Sequence, residues 1–352
     1  MPLTDSDSNK DNDEGNGTET ETETENENDY GLVSTWAITD RGDGTRYLMP
    51  KEGRLAVKVA LATGRPLLLR GSPGCGKSSL AAYAAEQLNW RYYEHVVTYR
   101  TQATDLLWTF DTVRRLADAQ ARNGDGRLDD HKYVRPGPLW WAYARDSALR
   151  RGLPCDKALR DDPCPEPLAD INRERKEEGA VVLIDEIDKA DPDVPNGLLV
   201  PLGAAEFTVA ETGSVVRLQR PASRGPSPTR HLVVITTNDE RELPQAFLRR
   251  CVVASLPSPK KGRLVEIARK HLKDRAPESS WEGLAHAVAE EVDKAREQAH
   301  KDRVRAPSTA EYLDALYACL SLGISSPEDS RWQLLRGLVL VKHQQPGDGL
   351  AG

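Results

Sequence analysis

Short apolar runs alternate with amphipathic segments in the middle of the chain, between Trp36 and about Pro257. Apolar residues at helical spacing predict helices that include residues 57–61 and 79–88. Compact apolar runs bounded by polar residues predict strands at 66–69, 95–98, 181–184 and 232–236. Buried strands that alternate with helices indicate a parallel sheet with helices on both faces. The pattern therefore predicts an α/β fold of three layers.

The strand signals end at about Pro257, and the rest of the chain has a helical pattern. Ser308 and Glu311 match the Ser-x-x-Glu box that caps helix N-termini. Apolar residues keep helical spacing in four segments, which are residues 261–272, 281–300, 308–322 and 330–341. We therefore predict a small all-helical domain after the α/β domain.

Two other stretches lack such a pattern. Residues 1–30 alternate Thr, Glu, Asn and Asp, and they contain too few apolar residues to offset the entropy of ordering. Residues 151–179 are rich in proline and charge, which indicates a surface excursion. We predict four parts: a disordered acidic tail at 1–30, the α/β domain at 31–256, the helical domain at 257–345 and a flexible C-terminus at 346–352.

The formal net charge of −7 comes from the N-terminal tail. Residues 1–30 carry eleven acidic side chains and one lysine, whereas residues 31–352 carry 44 acids and 47 bases, a net charge of about +3. The globular part is thus nearly neutral. Its short basic clusters form no continuous stripe, so nucleic-acid binding is not indicated. For the tail we favour a solubilising role.

Composition excludes other classes of protein. No apolar run approaches the ~18 residues of a membrane helix, and the N-terminus lacks the basic and apolar regions of a signal peptide. The five cysteines include no CxxC pair, so neither a disulfide framework nor a zinc site is indicated. We expect a cytoplasmic protein with no membrane partner.

The strongest chemical motif is GSPGCGKS, which matches the phosphate-loop pattern GxxxxGK[ST] between an apolar run and a helix. Glycines allow backbone N–H groups to surround phosphates at a helix N-terminus. Lys77 is expected to reach the β- and γ-phosphates of a nucleotide, and Ser78 to bind Mg²⁺. The residues expected to line the nucleotide site are Gly71, Ser72, Pro73, Gly74, Cys75, Gly76, Lys77, Ser78 and Ser79.

Polar side chains follow the next two apolar strands. Asp185 and Glu186 end the strand at 181–184, where Asp185 would hold Mg²⁺ and Glu186 would orient or deprotonate the attacking water. Asn238 ends the following strand and would position the same water. Further along, Arg249 and Arg250 lie on a short predicted helix. A guanidinium there would act as an arginine finger on a neighbouring subunit, although paired arginines are also typical of a solvated surface.

Together these motifs resemble the AAA+ ATPases, and specifically their MoxR branch. Further landmarks of that branch are matched at residues 65–69, 105–107, 110–111, 137–140, 183–193, 195–196 and 206–209. The likeness spans about residues 45–320. It implies a P-loop AAA+ three-layer αβα domain followed by a helical lid, with ATP and Mg²⁺ as cofactors.

The resemblance also implies roles and partners. The residues at the Walker A, Walker B and sensor-1 positions are Lys77, Ser78, Asp185, Glu186 and Asn238. Arg250 takes the arginine-finger position, with Arg249 as the fallback, and an insert in the second helix would fall within about 105–145. MoxR-type proteins form homo-oligomeric rings, often hexamers, that remodel other proteins together with von Willebrand factor A-domain partners.

Two positions depart from the family pattern. The lid of AAA+ proteins often carries a sensor-2 arginine just after a proline, but here Ser308 follows Pro307. Arg303 and Arg305 remain as alternatives for that role. Cys75 occupies a loop position that is often threonine; because only its backbone is expected to face the phosphates, nucleotide binding should survive.

Three functions fit these features. The leading hypothesis is an Mg·ATP-dependent ATPase that remodels, activates or assembles a protein partner. A nucleotide-loaded switch with little hydrolysis is the second, although the intact Glu186 argues against it, and a nucleic-acid loader or motor is the third. One structural alternative also stays open, because Trp140 and Trp141 would either fill the core or line a ring pore or a partner surface.

Overall fold

The computed structural model describes residues 44–121, 128–154, 164–218, 231–302 and 304–340. The predicted tail at 1–30, the predicted C-terminus at 346–352 and Arg303 lie outside these residues. All of the described residues fall within one structural unit, Thr35–Gly352. No helix in the described ranges has both the length and the apolar character that crossing a membrane requires.

Five parallel strands form the central sheet. They are β1 (Leu67–Arg70), β2 (Trp90–Val96), β5 (Lys176–Asp185), β8 (His231–Thr237) and β9 (Val252–Ser255). Their order across the sheet is β2-β5-β8-β1-β9. The register pairs Leu68 with Ile235 and Leu183 with Val234. Because the strands are parallel, the carboxyl ends of β1, β5 and β8 meet at one edge of the sheet.

Alternate residues of each strand face opposite sides of the sheet, and both sides are covered. On one side, Leu67 and Leu69 pack with α1 (Lys51–Thr63) and α2 (Lys77–Leu88). On the other side, Leu68 belongs to a second apolar core with α4 (Pro138–Tyr143) and with Phe247 of α9 (Gln245–Leu248). The predicted three-layer α/β fold is therefore confirmed.

Two tryptophans fill this second core. Trp140 is 0% exposed and Trp141 is 2% exposed. The indole N–H of Trp140 donates to Oγ of Ser147, and that of Trp141 donates to the carbonyl of Pro136, both at 3.2 Å. Since buried indole N–H groups need partners, these bonds account for their placement. The core interpretation is confirmed, and the interpretation as pore or partner surface is wrong.

Two antiparallel hairpins extend the α/β part. The first pairs β3 (Trp108–Phe110) with β4 (Val134–Pro136), with α3 (Thr112–Ala121) between them in the chain. It lies within 105–145, where the family resemblance implies an insert. The second pairs β6 (Glu206–Thr208) with β7 (Val215–Arg217). The remaining short helices are α5 (Arg145–Leu149), α6 (Ala169–Asn172), α7 (Asp193–Gly197) and α8 (Leu199–Ala204).

The predicted surface excursion at 151–179 is right for most of residues 165–175, which are at least partly exposed, but wrong in its C-terminal bound and at its buried residues. Cys164 and Asn172 are buried, and β5 already begins at Lys176. The side-chain amide of Asn172 bonds the backbone of Tyr92 on edge strand β2, accepting from its N–H at 2.8 Å and donating to its carbonyl at 3.0 Å. The side chain of Asn172 therefore pairs backbone groups of an edge strand that would otherwise lack hydrogen-bond partners.

Four helices follow the sheet and match the predicted segments. They are α10 (Lys261–Leu272), α11 (Glu282–Asp302), α12 (Thr309–Ser321) and α13 (Ser330–Val339). They enclose an apolar core of their own, which includes Leu272, Trp281 and Leu316. At the start of α12, Ser308 and Glu311 exchange the two hydrogen bonds of the predicted capping box, at 2.8 and 3.2 Å. The predicted helical region after the α/β part is confirmed.

The helical region contains a titrating group that links its stability to pH. Burial lowers the pKa of His271 on α10 from 6.5 to about 4, and the charges of Arg46, Arg275 and Lys270 act in the same direction. The unfolded chain therefore takes up a proton at a higher pH than the folded protein does. The contribution of His271 to stability is complete above pH 6.5 and is lost as the pH falls to about 4. Its full size is up to roughly 3 kcal/mol.

We predict that His271→Gln flattens the dependence of the unfolding free energy on pH between 6.5 and 4. Urea unfolding at a series of pH values measures this dependence. The matched control is His286→Gln, because His286 is exposed on α11 and its replacement should leave the slope as in the wild type. The same slope for His271→Gln and the wild type would contradict the prediction.

Candidate functional site

A tight loop joins β1 to α2 at the carboxyl edge of the sheet. Gly74 and Gly76 in this loop have left-handed backbones, with φ of 72° and 94°. A Cβ atom on Gly74 would lie 2.3 Å from Cβ of Ser308, and one on Gly76 would lie 2.8 Å from Cε2 of Tyr47. Both conformation and space therefore require glycine at these positions. The loop leads directly into α2, and the N–H groups at a helix N-terminus favour an anion.

The ammonium group of Lys77 uses its three donors on three oxygens. Nζ lies 2.7 Å from the carbonyl of Gly71, 3.1 Å from that of Ser72 and 2.7 Å from Oδ1 of Asn238. Lys77 is only 6% exposed. A phosphate oxygen that binds this ammonium must replace at least one of the three acceptors, and the contact with Ser72 is the longest.

Asp185, at the end of β5, accepts hydrogen bonds from the neighbouring helix and strand. Oγ of Ser78 lies 2.8 and 3.0 Å from the two carboxylate oxygens, and Oγ1 of Thr236 donates to Oδ1 at 2.6 Å. Within the described ranges, no cluster of three or more His, Cys, Asp or Glu side chains could hold a metal. Mg²⁺, however, commonly uses one or two protein oxygens together with phosphate oxygens. The hydroxyl and carboxylate of Ser78 and Asp185 fit that kind of site.

Glu186 follows in a left-handed backbone conformation, with φ of 60°. Its N–H donates to Oγ1 of Thr236 at 2.8 Å. Its carboxylate accepts from Nδ2 of Asn238 on Oε1 at 3.2 Å and from Nζ of Lys189 on Oε2 at 2.6 Å. The hydrogen bond to Glu186 raises the pKa of Lys189. The carboxylate is thus held between an amide and an ammonium.

Asn238, just after β8, joins the two charged groups. Its Oδ1 accepts from Lys77 and its Nδ2 donates to Glu186. Since both ends of the amide are used, its orientation is fixed. The structure therefore brings five of the predicted side chains together at one edge of the sheet: Lys77, Ser78, Asp185, Glu186 and Asn238.

The two predicted arginines lie apart from this group. Arg249 and Arg250 are exposed after α9. Arg250 lines a separate cavity of about 250 Å³ together with Arg65 and Cys251. Arg65 donates from Nη1 to the carbonyl of Arg249 at 3.3 Å. Within one chain, the structure does not bring the predicted arginine finger to the phosphate loop.

The phosphate loop forms one wall of a larger cavity of about 1090 Å³. The residues of the predicted site that line it are Pro73, Gly74, Cys75, Gly76, Lys77, Ser78, Ser79, Asp185, Glu186 and Asn238. Other walls come from residues 44–48 and from Ile267, His271 and Leu313 of the helical region. This volume is of the size that small-molecule and cofactor sites have.

Two hydrogen bonds attach the segment at 44–48 to the helical region. Lys270 donates from Nζ to the carbonyl of Tyr47 at 2.7 Å, and Arg263 donates from Nη2 to that of Leu48 at 2.8 Å. The sequence did not reveal these walls, because neither the segment nor the lining face of α10 carries a motif. The only sequence feature of the segment at 44–48 that could have indicated a role is its position just before the first predicted helix.

The helical region also contacts the phosphate loop directly. The N–H of Thr309, at the start of α12, lies 3.3 Å from the carbonyl of Gly74. Arg305, one alternative for the sensor-2 role, forms an ion pair with Glu311 at 3.2 Å and does not line the cavity. The other alternative, Arg303, lies outside the described residues. Arg263 and Arg275, both in the helical region, do line the cavity.

Cys75 is buried beneath the loop. It is 9% exposed and belongs to the apolar core that contains α1 and α2. Burial raises the pKa of its thiol, and the charge of Lys77 partly opposes this effect. The side chain therefore acts as a small apolar group in a position where the family often has threonine.

Comparison with known proteins gives the family. A profile described as "AAA domain (dynein-related subfamily)" matches residues 66–251, more than half of the chain. Among curated proteins, none matches this chain. Among solved structures, a candidate ATPase from Cytophaga hutchinsonii is 15% identical, with a TM-score of 0.38, over 85% of this chain and 83% of that one. The matched residues contain the phosphate loop, the Asp185–Glu186 pair and Asn238, and the chain belongs to the AAA domain family of the dynein-related subfamily.

Proposed function

We propose that this chain is a MoxR-like AAA+ ATPase that binds Mg·ATP and hydrolyses it to ADP and phosphate. The observation that carries the proposal is the hydrogen-bonded series from Lys77 through Asn238 to Glu186, beside the pair of Ser78 and Asp185. A cation for phosphate, two ligands for a metal and a carboxylate base then lie at one sheet edge. These are the parts that phosphoryl transfer to water requires.

Binding would use the loop and the helical region together. Lys77 would exchange the carbonyl of Ser72 for a phosphate oxygen, and the loop N–H groups would surround the phosphates. Ser78 and Asp185 would hold Mg²⁺, which supplies positive charge against the phosphate oxygens. Ile267 and Leu313, which also line the cavity, would offer apolar surface to the adenine ring.

The separate apolar core of the helical region supports a division into two domains. Two cores pack on the two faces of the sheet, and a third lies within α10–α13. We keep the bounds that the sequence predicts, with an ATPase domain at 31–256 and a lid at 257–345. The contact between Thr309 and Gly74 would then make the lid sensitive to the conformation of the phosphate loop.

In the chemical step, Glu186 would accept a proton from the attacking water. The oxygen available for this is Oε2, once Lys189 has moved away from it. The amide of Asn238 would hold the carboxylate and the water in line with the γ-phosphorus, and the bond from that phosphorus to the ADP oxygen would break as the bond to water forms. General-base catalysis of this kind contributes about 10²–10⁴-fold.

Arg250 would act on the nucleotide of a neighbouring copy. It is exposed, and it lines a cavity separate from the one that contains its own phosphate loop. An arginine finger contributes about 10³–10⁵-fold in rate, which is roughly 4–7 kcal/mol of barrier. We therefore propose a homo-oligomeric ring, hexameric by the family resemblance.

The assignment to the MoxR branch, with a protein client, rests on landmarks that pack together. The N–H of Gly137 donates to the carbonyl of Leu107 at 2.8 Å. A Cβ atom on Gly137 would lie 2.6 Å from the carbonyl oxygen of Asp105. The landmarks at 105–107 and 137–140, which both resemble the family, are therefore in contact next to the β3–β4 hairpin. By the same resemblance, we propose that the ring remodels a protein together with a von Willebrand factor A-domain partner.

A mixing experiment tests catalysis across the subunit interface. Glu186→Gln removes the base, and Arg250→Ala removes the finger, so each variant alone should lose at least about 100-fold in kcat. In a mixture, the Arg250→Ala subunit keeps its base and can receive Arg250 from a Glu186→Gln neighbour. We predict that the mixture regains measurable phosphate release.

Arg249→Ala is the matched control and should hydrolyse ATP near the wild-type rate. Full activity of Arg250→Ala would refute its role, and loss of activity in Arg249→Ala would move that role to the neighbouring arginine. Equal, near-zero rates for the wild type and Glu186→Gln would instead favour the nucleotide-loaded switch.

The client can be identified with the Glu186→Gln variant, which should bind ATP without turning it over. We predict that affinity capture with this variant in Mg·ATP retains a protein with a von Willebrand factor A domain. Capture in Mg·ADP with the same variant is the control and should retain less of it. Recovery of nucleic acid alone would contradict the protein-remodelling proposal and favour the loader.

A further inference from the structure

A short 3₁₀ turn, Ile187–Lys189, follows the strand that carries Asp185 and Glu186. Its first residue, Ile187, is fully buried, and Asp188 is only 2% exposed. Burial of a carboxylate is unfavourable unless hydrogen bonds compensate for the lost water. The contacts of Asp188 therefore show what keeps this side chain inside the protein.

Asp188 binds the backbone of the turn that follows β8. Its Oδ2 accepts from the N–H of Asn238 and from the N–H of Glu240, each at 3.0 Å. Asp239, between them, has a left-handed backbone with φ of 60°, and its own N–H donates to Oγ1 of Thr237 at 3.0 Å. Three successive N–H groups of the turn are thus fixed by side chains.

A non-glycine residue keeps a left-handed conformation only where its surroundings hold it. Asp188 accepts two of the three backbone N–H hydrogen bonds of this turn, and Arg70 adds a side-chain contact from its Nε to Oδ1 of Asp239 at 2.8 Å. The turn begins with the residue whose amide joins Lys77 to Glu186. The position of that amide therefore depends on the carboxylate of Asp188. No contact in the described residues joins Asp188 directly to Lys77.

We propose that Asp188 is a positioning residue for ATP hydrolysis, which it serves by fixing the backbone of Asn238. This inference rests on the proposed function of the site. Asp188 would not touch the nucleotide. It would act through Asn238. If Asn238 were displaced, the carboxylate of Glu186 would no longer be held beside the attacking water.

The geometry also determines which replacement conserves the role. One oxygen, Oδ2, makes both hydrogen bonds, while Oδ1 is buried and has no hydrogen-bond partner within the described ranges. Asparagine retains one acceptor oxygen and has nearly the same shape, so it can keep both bonds. Alanine removes both bonds. Asp188→Asn is therefore the conservative variant and Asp188→Ala the disruptive one.

The experiment compares kcat with nucleotide affinity. A misplacement of about 1 Å at a reacting group can lower the rate about 100-fold, so we expect that loss of kcat in Asp188→Ala. The Kd for a fluorescent ATP analogue should change by less than about threefold, because the loop N–H groups and the contacts of Lys77 with Gly71 and Ser72 do not involve Asn238. Asp188→Asn should stay within about tenfold of the wild-type kcat. Asp191→Ala is the matched control from the same run of acids, because Asp191 is exposed, and it should keep the wild-type kcat.

A double-mutant cycle separates positioning from general damage. If Asp188 acts through Asn238, then adding Asp188→Ala to Asn238→Ala should lower kcat by less than about threefold further. Equal losses in both backgrounds, or wild-type kcat in Asp188→Ala, would overturn the proposal. If Asp188→Ala does not unfold cooperatively, Asp188→Ser replaces it, because the serine side chain is too short to reach both N–H groups.

Amide hydrogen exchange gives a readout that does not need turnover. The N–H groups of Asn238 and Glu240 should exchange slowly in the wild type and at least about tenfold faster in Asp188→Ser. Unchanged exchange would overturn the role of Asp188 even in an active enzyme. Absence of ATP hydrolysis in the wild type would instead refute the proposed function, so the two failures are distinguishable.

Discussion

The side-chain amide of Asn238 is the contact on which the candidate site depends. It accepts from Lys77 at 2.7 Å and donates to Glu186 at 3.2 Å. An ammonium and a carboxylate at this edge of the sheet would attract each other strongly, because both are partly withdrawn from water. A direct ion pair between Lys77 and Glu186 would neutralise the phosphate-binding cation. The neutral amide between them holds the two charged groups close to each other but prevents their direct contact.

The strand order explains why an amide occupies this place. β8 lies between β1 and β5 in the sheet. The loop after β1 carries Lys77, the end of β5 carries Glu186, and Asn238 follows the strand between them. Thr236, on the same central strand, also bonds Asp185 and the backbone of Glu186. Strand β8 and the residue after it thus supply neutral side chains, Thr236 and Asn238, that lie between the charged groups following β1 and β5.

Much of the fold could be predicted from the sequence, because its main elements are long or deeply buried. The predicted helix at 261–272 coincides with α10, and the apolar run at 181–184 lies inside β5. The edge strand β9 and the two hairpins were not predicted as strands. Each of these strands has only three or four residues, and a short strand depends on pairing with distant parts of the chain.

The limits of prediction were similar at the candidate site. The five side chains that meet at the sheet edge were predictable, because each lies in a motif or at the end of a buried strand. Asp188 was not singled out, since its sequence context resembles that of the exposed Asp191; only the folded turn shows that one is buried and bonded to the next strand. The wall formed by residues 44–48 was missed for a related reason, because lid contacts from Lys270 and Arg263 place it there.

In the proposed function, this site hydrolyses ATP and is completed by a neighbouring copy of the chain. The most direct measurement is phosphate release per molecule in Mg·ATP over a wide range of protein concentrations. We expect a specific activity that rises with concentration and then reaches a plateau, because Arg250 is available to a neighbouring cavity only in an assembly. A specific activity that is the same at every concentration, or that does not exceed the background without protein, would contradict it.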